Sequence, residues 1–253
     1  AMRRQRAARI DFATAAPLIA SGAAATVCGI ALALLARPLF RQDGSAFASR
    51  FQCAFRFNSY IGLAVLGKLH GAAGIATMGL LIGAMVPLVN LASVWMLARQ
   101  GNLGVGREMA RNPLVLASLA GFAFSTSGLT LPDVASHFLG RLGDAAVALG
   151  LLAVGAALRL RGPTGSPLGS CYLLAVKLIA VPAAALLVAL SLGLGRVHLD
   201  AAVLFAALPT ATSAYILTQR MGGDGAGVAW LVSANTLAAM ATLPVWLSIV
   251  LRY

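Results

Sequence analysis

The stretch LFAALPTATSAYILTQRMGGD, residues 204–224, begins as an apolar helix and then sets Pro209, Thr210, Thr212 and Ser213 where the middle of a membrane span belongs. Proline has no N–H and its ring strikes the carbonyl four residues earlier, so a helix running through Pro209 is predicted to kink or break there. In hydrocarbon such a break survives only when it is buried or lines a cavity, because its freed backbone groups need partners. Thr210, Thr212 and Ser213 supply some of them. A break at mid-membrane also turns a half-helix amino terminus, with its partial positive charge and free N–H groups, into the protein. The stretch therefore predicts an anion site on a discontinuous span.

The composition identifies the solvent. Of 253 residues, 60% are hydrophobic and 10% charged, and the mean hydropathy is +0.88; ordinary soluble domains carry about 25% charged residues. Runs of roughly 20 apolar residues, the length that crosses a bilayer as a helix, lie between the charge clusters. Eight candidate spans are read at 13–36, 57–72, 73–98, 113–131, 143–158, 169–194, 199–218 and 226–251. Helices satisfy their own backbone in lipid, and no segment shows the ten-residue alternation of a membrane barrel. The fold class is an all-α integral membrane bundle.

A net charge of +12 and a pI near 11.2 would suggest nucleic acid in a soluble protein, but the distribution of the charges argues against such a partner. Arg37, Arg41, Arg50 and Arg56 fall in one predicted loop, Arg99, Arg107 and Arg111 two loops later, and Arg159 and Arg161 two loops after that. Alternate loops are basic, which is the positive-inside pattern and assigns them to the cytoplasm. The segment MRRQRAARID, residues 2–11, then faces outward despite its four arginines, and this predicts further sequence upstream.

Enzymatic and metal motifs are absent from the sequence. There is no HExxH, no GxSxG elbow, no pair of intramembrane aspartates and no Walker-type loop. GNLGVG, residues 101–106, lies in a basic loop with no strand before it. Cys28, Cys53 and Cys171 form no ligand spacing and are expected to be small buried residues. His70, His137 and His198 fall near span ends, as interfacial residues do. Neither a metal nor a cofactor is expected.

What remains are polar groups inside spans, which are functional candidates by default because hydrocarbon makes them costly. Small hydroxyls such as Ser118, Ser125 and Ser191 are read as back-bonded or as glue between helices. Lys177 lies in SCYLLAVKLIAVPAAALL about two turns into a span, at a cost of about 3 kcal/mol unless it faces a cavity or an anion, or snorkels to the interface. Asn58 in RFNSYIGLAVLG, Asn90 in MVPLVNLASVWML and Asn235 in VSANTLAAMATLPVW carry amides that can hold a carboxylate or brace an unwound backbone. Asn90 follows Pro87 and can instead satisfy a carbonyl freed by that proline. Residues 56–74 and 207–225 each run from small polar residues through a tyrosine to a basic residue and then glycines, as paired interrupted segments of a repeat-built transporter do.

The stretch PTATSAYILTQRMGGDGAGVAWLVSANTLAAMATLPVWLSIV resembles the last two helices of the auxin efflux carrier family. RFNSYIGLAV is similar to the family's fourth helix, MVPLVNLASVWML to its fifth, ARNPLVLASLAG to the start of its sixth, GDAAVALGLLAVGAAL to its seventh and KLIAVPAAALL to its eighth. The resemblance implies ten helices in two inverted five-helix repeats, with the fourth and ninth broken and crossing beside the substrate. On that map this chain holds the third to tenth: a basic segment 1–12, then 13–131 (the rest of the first repeat and the start of the second, spans 3–6) and 132–253 (spans 7–10). Ala64 stands where the fourth helix commonly has its crossover proline, and Val147 where the seventh usually has one.

The function so implied is a secondary carrier of a small organic anion by alternating access; an inactive or partner-dependent relative is the alternative. The substrate-binding residues expected are Asn58, Pro209, Thr210, Lys177 and Asn235, supported by Asn90, Thr212 and Thr236, the last matching the threonine of a family Ser-Thr pair whose serine is Asn235 here. Within that scheme Pro209 and Thr210 form the break, Asn58 binds substrate and Lys177 supplies positive charge. No acidic residue within a span offers an obvious proton relay. The partners expected are the bilayer, the anion and a second copy in a homodimer, and the location a bacterial inner membrane.

Overall fold

The computed structural model describes residues 12–253, apart from 42, 102–103, 112, 128, 130 and 157–165. The described residues form helices without strands: α1 (Phe12–Phe40), α2 (Gly44–Phe51), α3 (Ser59–Gln100), α4 (Val105–Arg111), α5 (Pro113–Thr126), α6 (Asp133–Ala156), α7 (Pro167–Ala175), α8 (Val181–Ser191), α9 (Arg196–Ala207), α10 (Ser213–Arg220) and α11 (Gly225–Val250). Ala15–Phe40, Gly44–Gln100, Pro167–Ser191 and Gly225–Val250 are long and apolar enough to cross a bilayer. This is an all-helical integral membrane protein.

The core is organised around α9, every residue of which from Leu199 to Ala207 is buried. A helix apolar on all sides has to be surrounded, and α3, α8, α11 and α1 pack against it. Ala201, Ala202, Ala206 and Ala207 keep its surface shallow enough for that close approach. Ser21 of α1 donates to the Ala185 carbonyl of α8 at 3.0 Å, and the Tyr172 hydroxyl of α7 donates to the Leu32 carbonyl at 2.9 Å.

At 42 residues, α3 would extend for about 63 Å at 1.5 Å per residue, twice the hydrocarbon thickness. It does not run straight. Gly71 takes φ 58°, ψ −138°, a conformation open to glycine but strained for other residues. The arm 72–100 doubles back there on the arm 59–70, so that a Cβ added at Gly74 would strike the Leu66 carbonyl and come within 3.0 Å of the His70 Cβ. The turn falls at the boundary expected between the second and third candidate spans, and it uses no loop.

The segment read as a long basic loop before residue 57 is structured instead. Asp43 caps α2, whose Phe47 and Phe51 are buried, and a 3₁₀ turn, Gln52–Ala54, extends it. The Phe51 ring meets those of Phe47 at 5.8 Å and Phe55 at 5.0 Å, and the three together anchor the half-helix in the core. Between α7 and α8 the chain makes a π turn, Val176–Ala180. Pro182 cannot donate to the Leu178 carbonyl four residues earlier; the indole N–H of Trp246 does so from α11, at 2.8 Å. Of the three thiols, Cys53 is buried, Cys28 half-buried and Cys171 exposed, so the expectation of three buried cysteines holds fully for one.

Candidate functional site

Two helices are interrupted in the interior, and the interruptions touch. Between α9 and α10, residues 208–212 leave the helix at Pro209, as the sequence predicts. The other break lies at residues 55–58, not at Ala64, which sits inside the regular arm 59–70. No proline causes it. Asn58 stops the backbone at φ −87°, ψ 99°, and its Oδ1 accepts from the N–H groups of Tyr60 and Ile61 at 3.1 and 3.3 Å, restarting the helix as an N-cap.

Each break satisfies the other. The Asn58 N–H donates to the Pro209 carbonyl at 2.9 Å, and the Thr210 hydroxyl donates to the Cys53 carbonyl at 2.7 Å. On one side of the crossing, α2 packs against α11 and its 3₁₀ turn reaches α10: Gln52 Nε2 donates to Thr218 Oγ1 at 2.8 Å, and Arg50 pairs with Asp224 just beyond α10, Nη2 to Oδ2 at 2.6 Å. On the other side the arm 59–70 lies along α9, where the Phe57 and Phe205 rings meet at 4.3 Å and His70 Nε2 sits 2.7 Å from Asp200 Oδ2.

A cavity of about 350 Å³ opens at this crossing, within the range of small-molecule sites. Its walls come from Arg56 to Tyr60, from Val86, Val89 and Asn90 of the arm 72–100, and from Ala211, Thr212 and Ser213 at the start of α10. Both α3 and α10 begin on this wall, so two helix amino termini with their partial positive charge face it. None of these lining residues is acidic.

Arg56 dominates the electrostatics. The residue is 4% exposed, and its Nη2 donates to Ser213 Oγ at 2.9 Å, while Nε and Nη1 have no partner. Asn58 Nδ2 is likewise buried and unmatched. An unpaired guanidinium held away from water costs several kcal/mol, and every unmatched polar atom on these two lining residues is a donor. Such an arrangement suits a ligand that brings negative charge and acceptors only.

Of the residues singled out in the sequence, Asn58, Asn90 and Thr212 come together on the cavity wall. Pro209 and Thr210 form the crossing beneath it. Lys177 is buried but stands elsewhere: its ammonium donates to the Ala206 carbonyl at 2.9 Å, at the carboxyl end of α9 where the break leaves carbonyls without helical partners. Asn235 and Thr236 bond back within α11, to the carbonyls of Leu231 and Val232, and line no part of this cavity. Asn235 Oδ1 is unmatched. Val147 falls in α6, and its side chain lies outside the described residues, as do those of Ser118 and Ser125.

Arg56 was legible only as a loop residue. The signal that could have exposed it is the apolar run FQCAF before it, which is too hydrophobic for a connection between spans.

Residues 98–247 match the family model described as "Membrane transport protein". Over 145 residues the chain is 31% identical to a protein of Rhizobium meliloti (strain 1021) named "Putative malonate transporter". The matched stretch is 56% of this chain and 44% of that relative, so less than half of the relative's length is covered. Ala211, Thr212 and Ser213 fall within the family match, and Arg56, Asn58 and Asn90 precede it.

Proposed function

The chain belongs to the membrane transport protein family, the auxin efflux carriers, and from that premise we propose that it moves a small organic anion, a carboxylate, by alternating access around the helix crossing. The single observation that carries the substrate class is the cavity on whose wall the buried Arg56 and Asn58 leave donors, and only donors, unmatched. A carboxylate brings acceptors in the planar geometry that a guanidinium fork meets with two parallel bonds. Dicarboxylates such as malonate fit the volume, and the relative's name points the same way.

On this reading, α2 with the arm 59–70 and α9 with α10 are the crossed pair of two inverted repeats. On the same reading the chain makes about eight crossings of a ten-helix plan, divided as 13–131 and 132–253. The basic connections lie on the cytoplasmic side of a bacterial inner membrane. In the alternating-access cycle the crossing and its cavity move as a unit against the scaffold helices, exposing the anion to each side in turn.

Binding of labelled malonate to the purified full chain in lipid nanodiscs tests this, followed by uptake into proteoliposomes. Saturable binding that Arg56→Gln abolishes is the expected result. Malonate binding that Arg56→Gln leaves intact would overturn the site. Binding without uptake would favour the transport-inactive or partner-dependent alternative.

A further inference from the structure

His70 and Asp200 lie at the opposite end of the crossing from the cavity. Asp200 is 5% exposed on α9, and its Oδ2 accepts from Arg196 Nε at 3.2 Å while standing 2.7 Å from His70 Nε2. Arg196 Nη1 in turn donates to the Val250 carbonyl at the end of α11, at 3.2 Å. A carboxylate buried among membrane helices with a histidine on a neighbouring helix is costly to keep and marks proton pathways by default, and nothing in the anion site uses it.

The placement of the pair gives it a mechanical link to the substrate. The arm 59–70 begins at Asn58 and ends at His70; α9 contains Asp200 and ends at the Leu208–Pro209 break. These two helical rods are joined at one end by the 2.9 Å bond from Asn58 N–H to the Pro209 carbonyl, beside the cavity, and at the other by the 2.7 Å His70–Asp200 contact. They form a closed frame, so a change in one joint is felt at the other. Gly71, with φ 58°, follows His70 directly and turns the chain at that end of the frame.

We propose that the His70–Asp200 pair is a proton-binding site coupled to the anion site, holding one extra proton when the cavity is filled. This rests on reading the cavity as an anion site. With the proton bound, His70 is a cation donating to the Asp200 carboxylate and the contact tightens; with it lost to water, a neutral imidazole donates or accepts according to tautomer and the contact weakens. Arg196 stays charged throughout. An anion entering the cavity favours the added positive charge, and by linkage the proton favours the anion equally.

The other ionisable groups on the elements around the pair are Lys68 on the same arm, His198 on α9, Arg252 and Tyr253 beyond α11, and those of two helices packed against α3: Asp133, His137, Arg141 and Asp144 on α6, and Arg107, Glu108 and Arg111 on α4. Within their described ranges α8 and α11 supply none; Lys177 of the π turn is engaged at the far end of α9, Arg37 of α1 lies over the Phe47 ring, and Arg99 closes the far end of α3 over the Trp95 ring.

The test is nitrogen NMR of histidine-labelled full chain in nanodiscs, with the His70 signal assigned by its loss in His70→Gln and followed across about pH 5–8, where histidines change charge. Malonate is the probe, and its binding is followed separately by intrinsic tryptophan fluorescence. The expected result is an upward move of the His70 midpoint by at least about 0.7 pH on saturation, the fivefold lower end of couplings between sites. That move should vanish in Asp200→Asn. Bound malonate with an unmoved His70 overturns the coupling and leaves the anion site standing. No malonate binding at either end of the pH range overturns both.

Discussion

The backbone N–H of Asn58 and the carbonyl of Pro209, 151 residues apart in the chain and 2.9 Å apart in space, close the crossing of the two interrupted helices. A break in one membrane helix exposes backbone groups that lipid cannot satisfy; a second break brought against it removes the deficit from both. The pairing also explains why one break manages without a proline. Pro209 forces its own interruption, whereas the Asn58 amide caps the restarted helix and its main chain takes up the carbonyl that Pro209 presents.

Replacing Pro209 by alanine restores a helical donor and lets α9 continue into α10. The expected outcome is loss of the Asn58 bond, worth about 1 kcal/mol, together with a reshaped cavity mouth. Malonate affinity should fall about tenfold or more while the protein still reaches the membrane, which quantitative binding on solubilised protein of matched expression checks.

Arg56 sets affinity and stability against each other. Arg56→Met removes a buried charge whose one bond is to the Ser213 hydroxyl, so the substrate-free protein should be more stable by about 1–4 kcal/mol, read as a raised melting temperature. The same change should weaken malonate binding by about 2–5 kcal/mol, the usual cost of truncating one partner of a buried charged pair. Arg56→Lys keeps the charge without the planar fork and should fall between the two.

Lys177→Met separates a brace from a ligand. In the structure the ammonium serves the Ala206 carbonyl, so its removal should cost about 1–3 kcal/mol of stability through an unsatisfied buried acceptor. Malonate affinity should change little in comparison. A large loss of affinity with unchanged melting temperature would instead assign Lys177 to the anion, as the sequence alone suggests.

The hairpin at Gly71 is sensitive at two points. Gly71→Ala places a Cβ at φ 58° and should cost about 1–2 kcal/mol, while Gly74→Ala drives a methyl into the Leu66 carbonyl, so the two arms cannot close and folded yield should drop sharply. Size-exclusion profiles and thermal unfolding of the two variants make the comparison.

Much of this was legible before any coordinates. The apolar runs give the helices, and Pro209 declares its break because the missing donor is a property of the residue itself. Asn58, Asn90 and Thr212 are polar in apolar surroundings, which is conspicuous in any sequence. What escaped depends on contacts distant in the chain. Arg56 beside a span looks like a cytoplasmic anchor until Ser213 and the crossing are seen around it. His70 looks interfacial, since a residue near a span end is cheap alone, and no acidic residue stands out as its partner; only the packing of the arm 59–70 on α9 brings it to the buried Asp200. The half-helix α2 hides for a related reason. Its serines and arginine, and the glutamine of the 3₁₀ turn after it, read as a loop, yet Gln52 and Arg50 are engaged by Thr218 and Asp224 inside the bundle.

A cavity whose unmatched groups are all donors also discriminates between two forms of the same weak acid. The neutral form carries a hydroxyl proton that would meet Arg56 and Asn58 donor against donor, whereas the conjugate base meets them with lone pairs. If the cavity is the anion site proposed above, its loading would follow the concentration of the ionised species, and two solutions of equal total acid but unequal pH would fill it unequally.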